Sequence, residues 1–571
     1  MPLNPNGKID KPALPFPDTA LIVPRSSARD DRQLTPIQKT IHDIWKNLLP
    51  SSPSSIELNE NFFDLGGHSI LATRLIFEIR KALVVEAPLG LVFEKPTIEG
   101  LANEVESIKA SDLGIHSGVT GQKKEEKTNV NEEIPYGKDI DTLVNQLSEK
   151  YSPLPSDYKN KKLTIVLTGA TGFLGAFVLR DLLSLRSDRV EKVICIVRAK
   201  SSQDGLERLR QGGSVRDCWD ENWVKDQRLE AIVGDLESKH FGLSDEDWNR
   251  ISNESDSIIH NGAFVHWVYP YSKLRSANVV STLTAIELAS NGHSKALSFV
   301  SSTSALDTEH YIKLSDSLTL SGQSSGVLET DDLEGAREGL GTGYGQSKWV
   351  AEKLLMEASK RGLECTIVRP GYVVGDSKSA ISNTDDFLWR LVKGCIQLGQ
   401  IPNIHNHVNM VPVDQVARLT SLSGIIRLQT QSTIPVIHVT ARPPVRYSDL
   451  LGCLHKYGYK IQTSDYLVWR SELEKHVMQV GDNALFPLLH FVLDDLPTST
   501  KSASLDDANA RQILNFCDQE REHVMTTVDL PLLGLYIAWF IKAGFLPPPT
   551  QKGELELPQV KEAKAIGRSG H

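Results

Sequence analysis

Apolar positions along this 571-residue chain change period twice. From Thr35 onward, Ile37, Ile41, Ile44, Trp45 and Leu48 recur on one helical face, with Thr35 suited to cap and Pro36 to the first turn. A second stripe, Leu71, Leu75, Ile76, Ile79 and Leu83, predicts a helix starting at Ser69, and a third runs from Thr97 through Leu101 and Val105. Residues 30–108 therefore read as a small helical bundle. Residues 1–29, with NPNG and KPALPFP, show no period and read as a tail. Residues 109–160 collect polar and charged side chains, as in SGVTGQKKEEKTNVNEE, and predict a solvated linker with some helix near Ile140 to Leu147. Past Lys162 the texture becomes LTIVLTGA, VICIVRA, LEAIVGDL, SIIHNGA, ALSFVSS and CTIVRPGYV, each followed by a helical pattern. Such alternation predicts an α/β fold with a doubly wound parallel sheet over residues 161 to about 375. A smaller substrate subdomain is expected over about 376–571.

Composition narrows the class. Hydrophobic residues at 40% and charged residues at 23% are those of an ordinary globular protein. A net charge of −10 argues against nucleic acid as a partner. Six cysteines without a CxxC pair suggest neither a zinc site nor a disulfide framework, and fit a reducing, cytoplasmic setting. The start has no apolar core, and the most apolar stretch, Leu530 to Leu546, is broken by Lys542, so no membrane span is expected.

The first strand of the alternating zone ends in Thr168-Gly169-Ala170-Thr171-Gly172-Phe173-Leu174-Gly175. Glycines at 169, 172 and 175 allow a tight turn and a close backbone approach to a pyrophosphate at a helix N-terminus. The zone thus reads as Rossmann-like. The second strand ends in Val197-Arg198, where an acidic residue would mark NAD; an arginine there, with Arg208 on the next helix, suits a 2′-phosphate and predicts NADPH. Asp235 and Leu236 would lie near the adenine, Asn261, Gly262 and Ala263 near the ribose and nicotinamide, and Pro370 and Gly371 complete the expected cofactor set.

Tyr344 and Lys348 stand four apart in YGQSKWVAEKL and share a helical face. A nearby ammonium favours a phenolate and makes the phenol a better proton donor or acceptor. Tyr158 with Lys162, and Tyr269 with Lys273, match the spacing but precede the first strand or span Pro270. The fifth strand ends in Ser301-Ser302-Thr303, where one hydroxyl could donate to the same oxygen as the tyrosine; Ser302 is favoured and Thr303 is the alternative. His405 and His407 lack an acidic or cysteine partner at ligand spacing, so no metal is expected.

These residues together resemble the extended short-chain dehydrogenase/reductase family over roughly 161–420. RPGYVVGDSKSAISNTDDFLWRLVKGC and HVNMVPVDQVA resemble its thioester reductase branch, found at the end of multidomain synthetases and carboxylic acid reductases. DLGGHSIL is similar to the attachment motif of peptidyl carrier domains, and NPNGKIDKPALP to the last motif of adenylation domains. The order resembles that of the fungal aminoadipate reductase family of lysine synthesis. The resemblance implies 4′-phosphopantetheine on Ser69, placed there by a phosphopantetheinyl transferase, and a carrier-bound acyl thioester as substrate. NADPH would reduce it to an aldehyde, L-2-aminoadipate 6-semialdehyde being expected, while Tyr344 gives a proton and Lys348 holds the nicotinamide ribose. A different acid, or four-electron reduction to an alcohol, is the competing reading. No adenylation body is in the sequence, so Lys8 has no active site here and that partner is expected outside this chain. Ser69 as a nucleophile is disfavoured, because a small bundle offers no sheet or placed acid for a triad.

Overall fold

The computed structural model describes residues 34–49, 56–67, 69–83, 85, 87–88, 90–112, 135–266, 269–322, 326–428, 434–480, 483–515 and 527–560. The predicted tail with Lys8, His68, Cys517 and residues 113–134 of the predicted linker lie outside them. The chain divides into two compact units, residues 1–87 with 95–118, and residues 88–94 with 119–571.

The first unit is built on α1 (Pro36–Leu48), α2 (Ser69–Leu83) and α3 (Ile98–Asp112). Thr35 and Gln38 form a reciprocal capping box, each side chain accepting from the other's backbone N–H, with Pro36 in the first turn. The predicted stripes face inward: Ile41, Trp45, Leu75, Ile76, Ile79, Leu101 and Val105 are fully buried, and the Trp45 ring meets Phe62 edge-on at 5.0 Å.

The second unit centres on seven strands: β1 (Leu163–Thr168), β2 (Val190–Val197), β3 (Leu229–Val233), β4 (Ser257–His260), β5 (Ala296–Val300), β6 (Cys365–Pro370) and β7 (Val436–Val439). All pair in parallel, in the order β7-β6-β5-β4-β1-β2-β3. The order reverses between β1 and β4, which opens a crevice at their carboxyl ends. Strands buried on both faces explain the near-continuous apolar runs that predicted them.

Two boundaries differ from expectation. Helix Tyr136–Leu143 sits inside the predicted linker, yet Tyr136, Ile140, Leu143 and Tyr151 are buried in the core of the second unit. The Tyr136 hydroxyl donates to the Ala336 carbonyl at 2.8 Å, and Asp139, 2% exposed, pairs with Arg275 at 2.6 Å. Composition hid this segment because its apolar residues are few and widely spaced. Second, β7 comes from within the stretch expected to form a separate subdomain, so the C-terminal half completes the main sheet. Among the described residues, no helix is long and apolar enough to cross a membrane.

Candidate functional site

A cavity of about 800 Å³ lies over the carboxyl ends of β1 and β4. Of the residues predicted for the cofactor and the chemistry, all line it except Thr168. Thr168 is fully buried: its hydroxyl accepts the Gly262 N–H at 2.8 Å and shares a hydrogen bond with His260 Nδ1 at 2.9 Å. The strand-end threonine therefore ties β1 to the loop after β4 and touches no ligand space.

The glycine cradle follows from close approach. Gly169 adopts φ +71°, and a Cβ there would come within 2.7 Å of Gly262. A Cβ on Gly175 would overlap the Gly169 carbonyl oxygen. Gly172 precedes α4 (Phe173–Arg180), whose first turn thus faces the cavity with its N–H groups. Asn261 Nδ2 donates to the Gly169 carbonyl at 3.2 Å and braces the turn.

Next to this cradle the wall is basic. The Arg208 guanidinium, on α5 (Ser202–Val215), donates to the Arg198 carbonyl, and burial together with the Arg198 charge pushes its pKa down. Neither arginine forms an ion pair with a described carboxylate. Arg216, just beyond α5, is 4% exposed; its Nη1 donates to the Gly212 carbonyl at 2.6 Å, while its buried Nε has no partner. One buried, one half-buried and one exposed arginine, without carboxylate partners among the described residues, fit a phosphate-bearing ligand. The residues present therefore fit a phosphorylated dinucleotide. Arg216 was not predicted from the sequence; the available signal was a third arginine eight positions after Arg208.

The reacting centre is set by α6 (Gly343–Lys360), capped by Thr342, whose hydroxyl accepts the Gly345 N–H at 3.1 Å. Tyr344 and Lys348 lie one turn apart, with the lysine nitrogen 5.9 Å from the tyrosine ring centre. Lys348 is 2% exposed, donates to the Val300 carbonyl at 2.7 Å and lies 4.6 Å above the Phe299 ring. Burial lowers its pKa to about 7, partly opposed by the Glu352 carboxylate. The three hydroxyls after β5 have different fates. Ser301 donates to Glu352, and Ser302 accepts the Ser304 N–H at 3.1 Å as a turn cap. Thr303 lines the cavity, and its hydroxyl makes no hydrogen bond among the described residues. His407 also lines it, from a two-residue strand. The Tyr158 hydroxyl donates to the Gly424 carbonyl at 2.8 Å, away from the cavity.

In the first unit, Ser69 is the first residue of α2. Gly66 has φ +95° and open space around its Cα, whereas a Cβ on Gly67 would overlap the Phe62 ring. One glycine serves the turn and the other serves packing.

Comparison with known proteins agrees with both halves. Residues 167–420 match the NAD-binding family described as male sterility protein, and residues 39–105 match the phosphopantetheine attachment site family. L-2-aminoadipate reductase of Schizosaccharomyces pombe is 47% identical over 98% of this chain and 39% of its own length. The chain thus spans about two fifths of the length of such curated relatives. The terminal R domain of the myxalamid PKS-NRPS pathway is 31% identical with a TM-score of 0.62, covering 72% of this chain and 99% of that domain. A thiolation-reductase di-domain from an archaeal non-ribosomal peptide synthetase, 18% identical, shares the fold with a TM-score of 0.65 over 90% of this chain and 98% of that one. The chain belongs to the family of terminal reductase domains, NAD(P)H-dependent oxidoreductases, here joined to a phosphopantetheine-attachment domain.

Proposed function

We propose that this chain reduces an acyl thioester, carried on 4′-phosphopantetheine at Ser69, to an aldehyde and a free thiol. The carrying observation is the convergence of Tyr344, Lys348 and Thr303 with the glycine cradle on one cavity. The 47% identity to an L-2-aminoadipate reductase favours a 2-aminoadipyl group, hence L-2-aminoadipate 6-semialdehyde as product and lysine synthesis as the setting. The acid would be activated by an adenylation domain, and a phosphopantetheinyl transferase would arm Ser69.

Bound NADPH supplies the hydride. Gly169, Thr171 and Gly172, with the first turn of α4, would hold its pyrophosphate. Arg198, Arg208 and Arg216, which have no ion-pair partner among the described residues, support the preference for a 2′-phosphate. Tyr344 gives a proton to the carbonyl oxygen, and Thr303 donates a hydrogen bond to it in preference to Ser302, whose hydroxyl is held at the turn by the Ser304 N–H but keeps its own O–H as the alternative donor. Lys348, held by the Val300 carbonyl, orients the ribose and supports Tyr344 with its charge. Tethering raises the local concentration of the acyl group. Five cysteines, Cys195, Cys218, Cys365, Cys395 and Cys453, are buried free thiols, which supports a reducing cytoplasmic setting.

The test loads Ser69 with aminoadipyl-pantetheine and follows NADPH absorbance and product. One NADPH per thioester with semialdehyde formed is expected; two would mean an alcohol. Unchanged turnover in Tyr344→Phe would remove the proposed proton donor, and loading of Ser69→Ala would misplace the arm.

A further inference from the structure

Beyond Thr303, the same cavity carries a group of side chains that the proposed chemistry does not use. Asp307 closes the short 3₁₀ turn Thr303–Leu306, and Asp386 precedes α7 (Phe387–Leu398). Tyr372 lies in the short strand after β6, and Tyr447 begins the helix Tyr447–Lys456. All four line the cavity. Both carboxylates act on both tyrosines, reinforcing the rise that burial gives their pKa values. Among the described residues, no lysine, arginine or histidine contributes to the field at Tyr447 or Asp307. The Asp307 backbone N–H donates to the Ser304 carbonyl, whereas its carboxylate makes no hydrogen bond or ion pair among the described residues. Asp307 is solvent-exposed where it lines the cavity, and the protein packed around its carboxyl pushes its pKa up to about 7. Tyr447 is 1% exposed, lines the cavity, and its hydroxyl likewise has no partner among the described residues.

A buried tyrosine hydroxyl without a partner among the described residues, beside two carboxylates that line the same cavity, is costly unless a cationic donor occupies the site. Spacing fits an acyl chain. Four residues of 3₁₀ geometry separate Thr303 from Asp307, about 8 Å at roughly 2.0 Å per residue, the span of an extended aliphatic chain a few carbons long. The geometry points to Asp307, Asp386, Tyr372 and Tyr447 as the subsite for an ammonium group at the far end of the acyl chain, so that amino-bearing acyl thioesters are selected over their unsubstituted counterparts. This rests on the thioester-reductase reading above and adds the residues that would choose the acyl group.

The experiment compares aminoadipyl-pantetheine with adipyl-pantetheine, which lacks only the amino group, as substrates of the full chain with NADPH. The unaltered protein is expected to prefer the amino-bearing thioester at least tenfold or so in kcat/KM, as for a charge-assisted hydrogen bond. Asp307→Asn and Asp386→Asn should each bring that ratio down about tenfold; asparagine keeps the helix cap at 386. Turnover of the adipyl thioester shows that each variant is folded. An unchanged ratio in both variants, or no preference in the unaltered protein, overturns the subsite alone. No NADPH oxidation with either thioester overturns the reductase reading and the subsite with it.

Discussion

The Lys348 side-chain nitrogen lies 2.7 Å from the Val300 carbonyl oxygen, so the lysine beside Tyr344 is anchored to the end of β5. Because burial lowers its pKa to about 7, it is an ammonium below that pH and an amine above it. If its charge supports Tyr344, kcat falls as pH rises through about 7. In Lys348→Arg the charge persists, so this alkaline limb should disappear from the pH profile. A limb in the same place in the variant would mean that another group titrates.

Thr303 and Ser302 should separate kinetically. Loss of a hydrogen-bond donor to a developing oxyanion costs roughly 10²–10³ in kcat, which is expected for Thr303→Ala. Ser302→Ala removes a turn cap instead and should cost about 1 kcal/mol of stability with a much smaller change in kcat. Stopped-flow NADPH oxidation and urea unfolding distinguish the two.

Arg198 and Arg208 should set cofactor choice. Removing a charge-assisted contact to a phosphate costs about 1.5–3 kcal/mol. Arg198→Ala should therefore raise the KM for NADPH by about 10- to 100-fold and leave that for NADH nearly unchanged. Equal losses with both cofactors would refute a 2′-phosphate role.

Glu352 holds the floor of the site. It receives the Ser301 hydroxyl and the Arg369 Nε at 2.8 Å, and the Arg369–Glu352 pair is fully buried. Arg369 Nη1 also bonds His438 Nε2 at 3.0 Å, and burial and the arginine charge lower that histidine's pKa to about 3. Breaking a buried pair costs about 3–5 kcal/mol. Glu352→Ala should lose that much in urea unfolding followed by the fluorescence of the second unit, with reduced expression.

What the sequence by itself determined were the features with local physical causes. Helical stripes such as Ile41 and Trp45 and the apolar strand runs report burial through period alone. Gly169 and Gly175 report close approach because no other residue fits. Tyr344 and Lys348 report one helical face. Features decided only by tertiary structure join distant segments. Residues 136–151 entered the core because Tyr136 and Asp139 found partners some 200 and 136 positions away. Of Ser302 and Thr303, only the tertiary structure shows which one caps the turn after β5, since the Ser302 oxygen accepts the Ser304 N–H. Arg216 gained its place from the end of α5, and Asp307, Tyr372, Asp386 and Tyr447 met only because separate connections return to the same crevice. Local pattern encodes which face is buried; it carries no record of what the chain brings to the other side of a cavity.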